Sequence, residues 1–298
     1  MEAFADTPAN APKNDNMLNR IASDLVLSWS VEMGAHDCSG VHAIADVLPR
    51  GAAVYINHLQ SHTLDNSLHA ARMAHDAGLE PVVHVAARRV ETRADFDRFL
   101  EGAQRIGIHK LLLLGGDRRT PVGPFADAAS LLRNRCLADF GIREVGFAGY
   151  PEGHPRIQSG LMVAALDEKL ELAERQGLGA YVVTQFCFAP SRIIHFCNDL
   201  QRRAPRVAVY VGVAGPISPV KLLGFAQRCG VGASLRALKA QRTGALRVFT
   251  HRDPGKLLAS IAPYLRMPHR TNVVGVHVFS FGHVAQSAHW IKAIVQNG

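Results

Sequence analysis

The sequence predicts an α/β barrel of eight parallel strands, and three observations indicate this fold. Short apolar runs alternate with amphipathic stretches along almost the whole chain. Several runs, such as VYI, VVHVA and LLLL, are apolar throughout, as expected of parallel strands that are covered on both faces. Polar residues follow directly after successive runs, and this is where such a barrel carries its active site.

Eight runs rich in β-branched residues predict the strands. They span residues 24–32, 52–58, 81–87, 110–115, 144–150, 180–188, 206–214 and 273–281. Helical periodicity fills the segments 63–77, 92–105, 124–140, 161–176 and 190–203, and glycines 78, 107, 141 and 177 follow four of these patterns. Eight such units in about 280 residues match the length of a closed (β/α)8 TIM barrel.

The remaining segments complete this architecture. Residues 229–267 are more than one helix needs, so we expect extra helices between strands seven and eight. A doubly wound open sheet is the competing fold, but it would carry a GxGxxG motif after its first strand, and the sequence has none there. We expect a disordered tail over residues 1–17 and a single barrel domain over residues 18–298.

The composition is typical of a soluble globular protein, with 48% hydrophobic and 19% charged residues in 298. No apolar run approaches the ~20 residues that span a membrane, and the N-terminus lacks a secretory signal, so we expect a cytoplasmic protein without a membrane partner. The formal charge of +8 comes from scattered basic residues, which favours an anionic small molecule over nucleic acid. The five cysteines form no CxxC pair, and His195 and Cys197 cannot share a helix face, so we expect reduced thiols and no metal site.

Polar side chains at the downstream ends of the predicted strands should face one bowl. They are Glu32, Asn57, His58, His84, Asp117, Tyr150, His154 and Gln185. One such residue alone is more often structural than functional, but their occurrence at successive strand ends indicates a site.

Two carboxylates stand out in this set. Glu32 ends the first strand, where partial removal from water would raise its pKa and allow it to act as a general acid near neutral pH. A capping or salt-bridged glutamate fits the sequence equally well. Asp117 follows LLLLGG, whose glycines allow the backbone to approach a flat ligand, and a plain turn aspartate is the alternative.

Two motifs near the fifth and sixth strands carry the other candidates. Two prolines bracket the loop YPEGHP, so Tyr150 and His154 are held with little conformational freedom. In TQFCF, strand alternation would place Gln185 and Cys187 on one face. The Gln185 amide offers a donor and an acceptor, which suits the edge of a pterin.

Together these motifs resemble the methylenetetrahydrofolate reductase family, whose catalytic domain is a flavin-binding eight-stranded α/β barrel. The resemblance covers residues 24–294 and rests on YPEGHP, the TQF of TQFCF, the GGD after strand four, the GLEPVVH that leads to His84, and the glutamate that ends strand one. All five occur in the order and spacing of the family, which is more specific than any one of them.

The resemblance implies roles for individual residues. Glu32 corresponds to the general acid that opens the imidazolidine ring of the folate, and Asp117 to the carboxylate near the flavin and the pterin. Gln185 corresponds to the glutamine that contacts the folate, with Phe186 next to it. The implied cofactor is FAD, and its implied contacts are Asn57, His84, Gly115, Gly116, Asp117, Phe125, Ala126, Ala148, Tyr150, His154 and Lys169.

The implied reaction interconverts 5,10-methylenetetrahydrofolate and 5-methyltetrahydrofolate. Hydride passes through the flavin, with NADH or NADPH as the implied electron partner. A member that runs in the oxidative direction during one-carbon catabolism is also consistent with the resemblance. The sequence leaves the oligomeric state open, including a homo-oligomer.

The chain departs from the family pattern at several positions. The family has FEFFPP around its first-strand glutamate, whereas this chain has VEMGAHD. The family arginine before the GD pair is Gly115 here, and Arg118 and Arg119 could replace its charge. Cys187 replaces an aromatic residue, and His283 stands where an arginine is expected after strand eight.

These departures keep two alternatives open. One is a folate-dependent barrel of another enzymatic class, such as a flavin-free reductase or a methyl-transfer enzyme. The other is a folate- or flavin-binding protein without turnover.

Overall fold

Eight parallel strands form one closed barrel in the computed structural model, which describes residues 28–59, 62–228, 231, 255–267 and 271–296. In chain order they are β1 (Ser28–Gly34), β2 (Ala53–Asn57), β3 (Glu80–Ala86), β4 (Lys110–Leu114), β5 (Glu144–Gly149), β6 (Gly179–Thr184), β7 (Ala208–Ala214) and β8 (Val273–Phe279). β1 pairs with both β2 and β8, which closes the barrel. The predicted fold class is therefore confirmed.

Helices follow the strands within the described part of the chain. They are α1 (Val41–Ala45), α2 (Leu64–Asp76), α3 (Arg93–Ile106), α4 (Ala128–Asn134), α5 (Ser159–Arg175), α6 (Pro190–Arg203), α7 (Pro219–Arg228), α8 (Gly255–Leu265) and α9 (Val284–Gln296), with short 3-10 helices at Asp37–Gly40, Ala87–Arg89 and Leu137–Phe140. Thr63 and Asp127 form capping boxes that begin α2 and α4. Gly107, at φ 85°, ends α3 in the left-handed conformation that its position in the sequence predicted.

The prediction of one helix over residues 124–140 is wrong. The segment divides into α4 and the 3-10 helix Leu137–Phe140, because Arg135 leaves the helical conformation at φ −139° and ψ 142°. Its guanidinium pairs with Asp97 on α3 at 2.5 Å, and the Gln176 side chain bonds the carbonyls of Leu132 and Arg135. The Gln176 amide thus satisfies two backbone carbonyls that a continuous helix would have bonded internally.

Strand alternation separates two apolar regions. Tyr55, Val82, Leu112, Tyr181 and Val183 fill the barrel interior, whereas their neighbours along the strands face the helices in the larger outer core. The Tyr181 hydroxyl donates to the carbonyl of Leu111 at 3.1 Å, so this buried polar group is satisfied. The interior is therefore packed below the level of the candidate site.

Some predictions lie outside the described residues. These are the disordered tail at residues 1–17 and the start of the first strand at residues 24–27. Between β7 and β8 the structure describes α7 and α8, whereas residues 232–254 are not described. Among the described residues, no helix is long and apolar enough to cross a membrane.

Candidate active site at the carboxyl ends of the strands

Glu32 lies at the carboxyl end of β1 and contacts the neighbouring strand. Asn57, at the end of β2, donates from Nδ2 to Glu32 Oε1 at 3.2 Å. Burial raises the pKa of Glu32 to about 7, although the Asn57 hydrogen bond lowers it. Near neutral pH the carboxyl group is therefore divided between its acidic and basic forms, as a general acid requires.

Two histidines on neighbouring strand ends are held neutral. Burial and the nearby His58 lower the pKa of His84 to about 3. Burial and the Arg89 cation lower the pKa of His58 to about 4, and its Nδ1 accepts a hydrogen bond from Ala86 N at 3.3 Å. Within the described part of the chain, His84 Nε2 is buried without a hydrogen-bond partner. A buried polar atom of this kind is suited to meet a bound ligand or a water molecule.

A third buried histidine was not predicted. His277 on β8 places Nδ1 3.0 Å from Ser30 Oγ, and its ring makes an edge contact with Tyr55 at a centroid distance of 4.5 Å. Burial and the nearby His84 lower the pKa of His277 to about 3. Applying the two-residue period to the polar positions of β1 and β8 could have found this pair inside the barrel.

Asp117 projects from the loop after β4, and two consecutive arginines hold that loop. The Asp117 side chain is 58% exposed, whereas its partner Arg89 is 7% exposed, and Arg89 Nη2 lies 2.5 Å from Asp117 Oδ1. The Arg88 guanidinium donates to the carbonyls of Ala126 at 2.7 Å and Arg118 at 3.0 Å. The sequence prediction missed both arginines, which lie in the 3-10 helix Ala87–Arg89 that follows β3. Arg118 and Arg119, the expected replacements for the family arginine, are exposed.

A cavity of about 740 Å³ opens beside this loop. Six predicted cofactor residues line it, namely Gly115, Gly116, Ala148, Tyr150, His154 and Lys169. Cations outnumber acids in the lining: Arg88, Arg119, Arg156, Lys169, Arg192 and Arg203 face Asp127, Glu152, Glu168 and Asp199. The cavity therefore suits a large anionic ligand.

The walls of this cavity are ordered by local contacts. The Tyr150 and His154 rings meet edge to face at 5.2 Å, and His154 Nδ1 accepts from Arg156 N at 3.2 Å. Lys169 Nζ lies 5.3 Å from the centroid of the Phe147 ring. Burial lowers the pKa of Lys169, and Asp127 opposes this effect.

Three predicted binding residues have different surroundings. Phe125 is 1% exposed and packs edge to face on Phe96 at 5.4 Å. Neighbouring Ala126 is exposed and contributes the carbonyl that Arg88 bonds. Phe186 is 2% exposed and packs against Phe281 at 5.3 Å, in an aromatic cluster that also includes Phe188, Phe225 and Phe279.

Gln185 lies just past β6, where its N–H donates to the Gly149 carbonyl at 2.8 Å, and its side chain is partly exposed. The expected alternation through TQFCF is wrong, because the strand ends at Thr184. Cys187 instead joins the outer core, with its Sγ 3.4 Å from Ala189 N.

A second cavity, of about 600 Å³, lies at the opposite, amino ends of the strands around Glu80, Lys110 and Glu144. The predicted site residues do not line it. The candidate site residues therefore lie at the carboxyl ends of the strands and not around this second cavity. In the described part of the chain, no cluster of three or more side chains has the arrangement of a metal site.

Both the sequence and the fold of this chain are similar to those of known proteins. Residues 30–235 match the methylenetetrahydrofolate reductase family. A relative named methylenetetrahydrofolate reductase 2, from Schizosaccharomyces pombe (strain 972 / ATCC 24843), is 27% identical over 198 residues, which are 58% of this chain and 29% of that protein. The chain thus spans less than a third of the length of that relative.

Two solved structures share the fold at low sequence identity. A putative phosphonomutase from Burkholderia cenocepacia J2315 has a TM-score of 0.51 at 12% identity, with coverage of 96% of this chain and 100% of that one. Dihydropteroate synthase (FolP) from Thermus thermophilus has a TM-score of 0.51 at 13% identity, with coverage of 91% and 93%. At these identities the likeness supports the barrel alone.

Proposed function

Because this chain belongs to the methylenetetrahydrofolate reductase family, we propose that it is a flavin-dependent oxidoreductase that interconverts 5,10-methylenetetrahydrofolate and 5-methyltetrahydrofolate. The observation that carries the proposal is Glu32, a carboxyl group with a pKa of about 7 at the mouth of the barrel. The proposal also places Asp117 and Gln185 on the folate, and a nicotinamide nucleotide as the electron partner.

Glu32 would supply the proton that the folate reaction needs. The methylene carbon of the substrate bridges two nitrogens, and opening the ring to an iminium ion requires a proton on the nitrogen that leaves. An acid with a pKa near the working pH donates that proton and recovers it in the reverse direction. Asn57 donates to Oε1 through its amide, and this contact would orient the carboxyl group in the proposed site.

Asp117 would stabilise the positive charge that ring opening creates. Its exposed carboxylate pairs with Arg89 at 2.5 Å, and this contact would hold it in place before the ligand binds. Gln185 lies just past β6 and would offer an amide to the pterin. The aromatic cluster around Phe186 and Phe281 provides a nearby apolar surface for a flat ring system.

The residues at the mouth fit FAD. An added Cβ at Gly115 would meet nothing within 4 Å, so the backbone there leaves space for a flat ring, and the adjoining cavity of about 740 Å³ is lined by an excess of cations for phosphates. Gly115, Gly116, Ala148, Tyr150, His154 and Lys169 would hold the cofactor, and His84 would meet it from β3. When bound, FAD supplies the acceptance and delivery of hydride.

The absorption spectrum of the purified protein is the first experiment. We expect flavin absorbance that bleaches on addition of NADH, NADPH or 5-methyltetrahydrofolate. Colourless protein that takes up no FAD on titration would refute flavin dependence, and folate turnover by that protein would favour a flavin-free reductase.

The Glu32→Gln variant tests whether Glu32 acts as the general acid. We expect turnover to fall by roughly 10²-fold or more while folate affinity stays nearly constant, because a general acid acts in the transition state. Glu101→Gln on the exposed surface of α3 is the matched control and should retain wild-type turnover. Unchanged turnover in Glu32→Gln would remove Glu32 from the mechanism.

A further inference from the structure

The loop after β4 lacks regular secondary structure between Gly115 and Asp127, yet it carries the carboxylate proposed to act on the folate. Gly116 has a φ of 90°, a conformation that glycine adopts readily because it has no Cβ. Asp117 follows it directly and is largely exposed. The contacts of this exposed carboxylate with neighbouring segments therefore bear on where it points.

Arg88 and Arg89, at the end of β3, make the contacts that hold this loop. Arg88 N donates to the Gly115 carbonyl at 3.1 Å, and Val122 N donates to the Arg88 carbonyl at 3.1 Å. The Arg88 side chain bonds two further carbonyls, of Ala126 and Arg118. The backbone and the side chain of Arg88 therefore connect the segment after β3 to both ends of the loop.

Arg88 bonds backbone carbonyls of the loop, whereas Arg89 contacts the carboxylate of Asp117 itself. Its nearly buried guanidinium pairs with Asp117 Oδ1 at 2.5 Å. A charge-assisted bond of this type is about twice as strong as a neutral one. A buried cation that loses its partner is also costly, so the pair resists separation more than two exposed side chains would.

We propose that Arg89 is a positioning residue for Asp117, which it holds in the orientation that meets the folate, while Arg88 fixes the backbone of the same loop. This inference rests on the proposed function and adds to it a residue on which the position of Asp117 depends. It also assigns to the β3 end the positive charge that was expected from Arg118 or Arg119.

The first test uses the apoprotein and needs neither folate nor flavin. His58 is faced by Arg89, His62 and Asp117, and the Arg89 cation lowers its pKa whereas the Asp117 carboxylate raises it. In an NMR titration of the imidazoles, we expect Arg89→Met to raise the pKa of His58 and Asp117→Asn to lower it. Arg89→Lys keeps the charge and should leave the pKa close to the wild-type value.

The second test measures turnover with folate. We expect Arg89→Met to lower kcat between about tenfold and 100-fold, as for a misplaced reacting group, with a smaller change in KM. Arg89→Lys should recover part of the loss. In the Arg89→Met and Asp117→Asn double variant, the loss should be no greater than in Asp117→Asn alone, because both changes remove the same function.

Arg135→Met is the matched control, because Arg135 also forms an ion pair at 2.5 Å, with Asp97, on the outside of the barrel. We expect it to leave kcat and the pKa of His58 unchanged. The inference is overturned if the two losses in the double variant multiply, or if His58 titrates identically in Arg89→Met and the wild type. If adding Asp117→Asn lowers the pKa of His58 less in Arg89→Met than in the wild type, but neither the wild type nor any variant turns over folate, the positioning contact stands and the proposed function fails.

Discussion

Replacing Glu32 by glutamine is expected to stabilise the folded protein at alkaline pH but not at acid pH. The folded protein holds the Glu32 proton with a pKa of about 7, against an ordinary value of 4.5, because burial penalises the charged form. The carboxyl group therefore increasingly destabilises the fold as the pH rises from 4.5 to about 7, and the penalty is constant above that. The difference corresponds to ~3 kcal/mol in the free energy of unfolding.

The assay is urea unfolding of wild type and Glu32→Gln at several values between pH 5 and pH 9, with the difference in unfolding free energy plotted against pH. We expect a rise of ~3 kcal/mol in favour of the variant and a plateau at alkaline pH, since glutamine keeps the shape and can still accept from Asn57. Glu101→Gln, at an exposed position, should give a flat line. A flat line for Glu32→Gln as well would show that this carboxyl group has an ordinary pKa, and the argument for a general acid would fail with it.

Three further predictions follow from individual contacts. Asn57→Ala removes the hydrogen bond that lowers the pKa of Glu32, so the alkaline limb of the pH profile of turnover should move to higher pH. Gly123→Ala would place a Cβ 2.1 Å from a backbone carbonyl of the β3 loop, so we expect a loss of about 1–3 kcal/mol in urea unfolding, whereas Gly160→Ala, with open space around it, should be neutral or stabilising. Lys169→Met removes a cation from the cavity wall, and FAD affinity measured by titration should fall about tenfold, whereas unchanged affinity would show that Lys169 does not reach the phosphates.

The strands could be predicted from sequence because their apolar runs reflect burial on both faces, which is a local property of the pattern. The helix predicted over residues 124–140 failed because the side chains that interrupt it, Asp97 and Gln176, come from distant parts of the chain. Periodicity within a segment contains no information about such partners. The same limit applies to the TQFCF motif, where the strand ends earlier than its composition indicates.

In the candidate site too, sequence could predict where a residue lies along the chain but not which residue it contacts. Topology alone places Glu32 and Asp117 at the carboxyl ends of their strands, so sequence could identify them. It could not pair Glu32 with Asn57 or Asp117 with Arg89, because those contacts depend on the register of neighbouring strands and on the path of a loop. Residues that hold a site in place are therefore harder to predict than the residues that form it.

The charge states of the site depend on one another through burial. His84 and His277, with pKa values of about 3, remain neutral beneath the mouth. A cationic imidazole near Glu32 would favour the carboxylate and pull its pKa back towards the ordinary value. Because burial disfavours every charged form, the same burial that keeps the two histidines neutral also raises the pKa of Glu32. Arg89 and Asp117 carry their charges at the edge of the bowl, where the carboxylate is exposed to solvent.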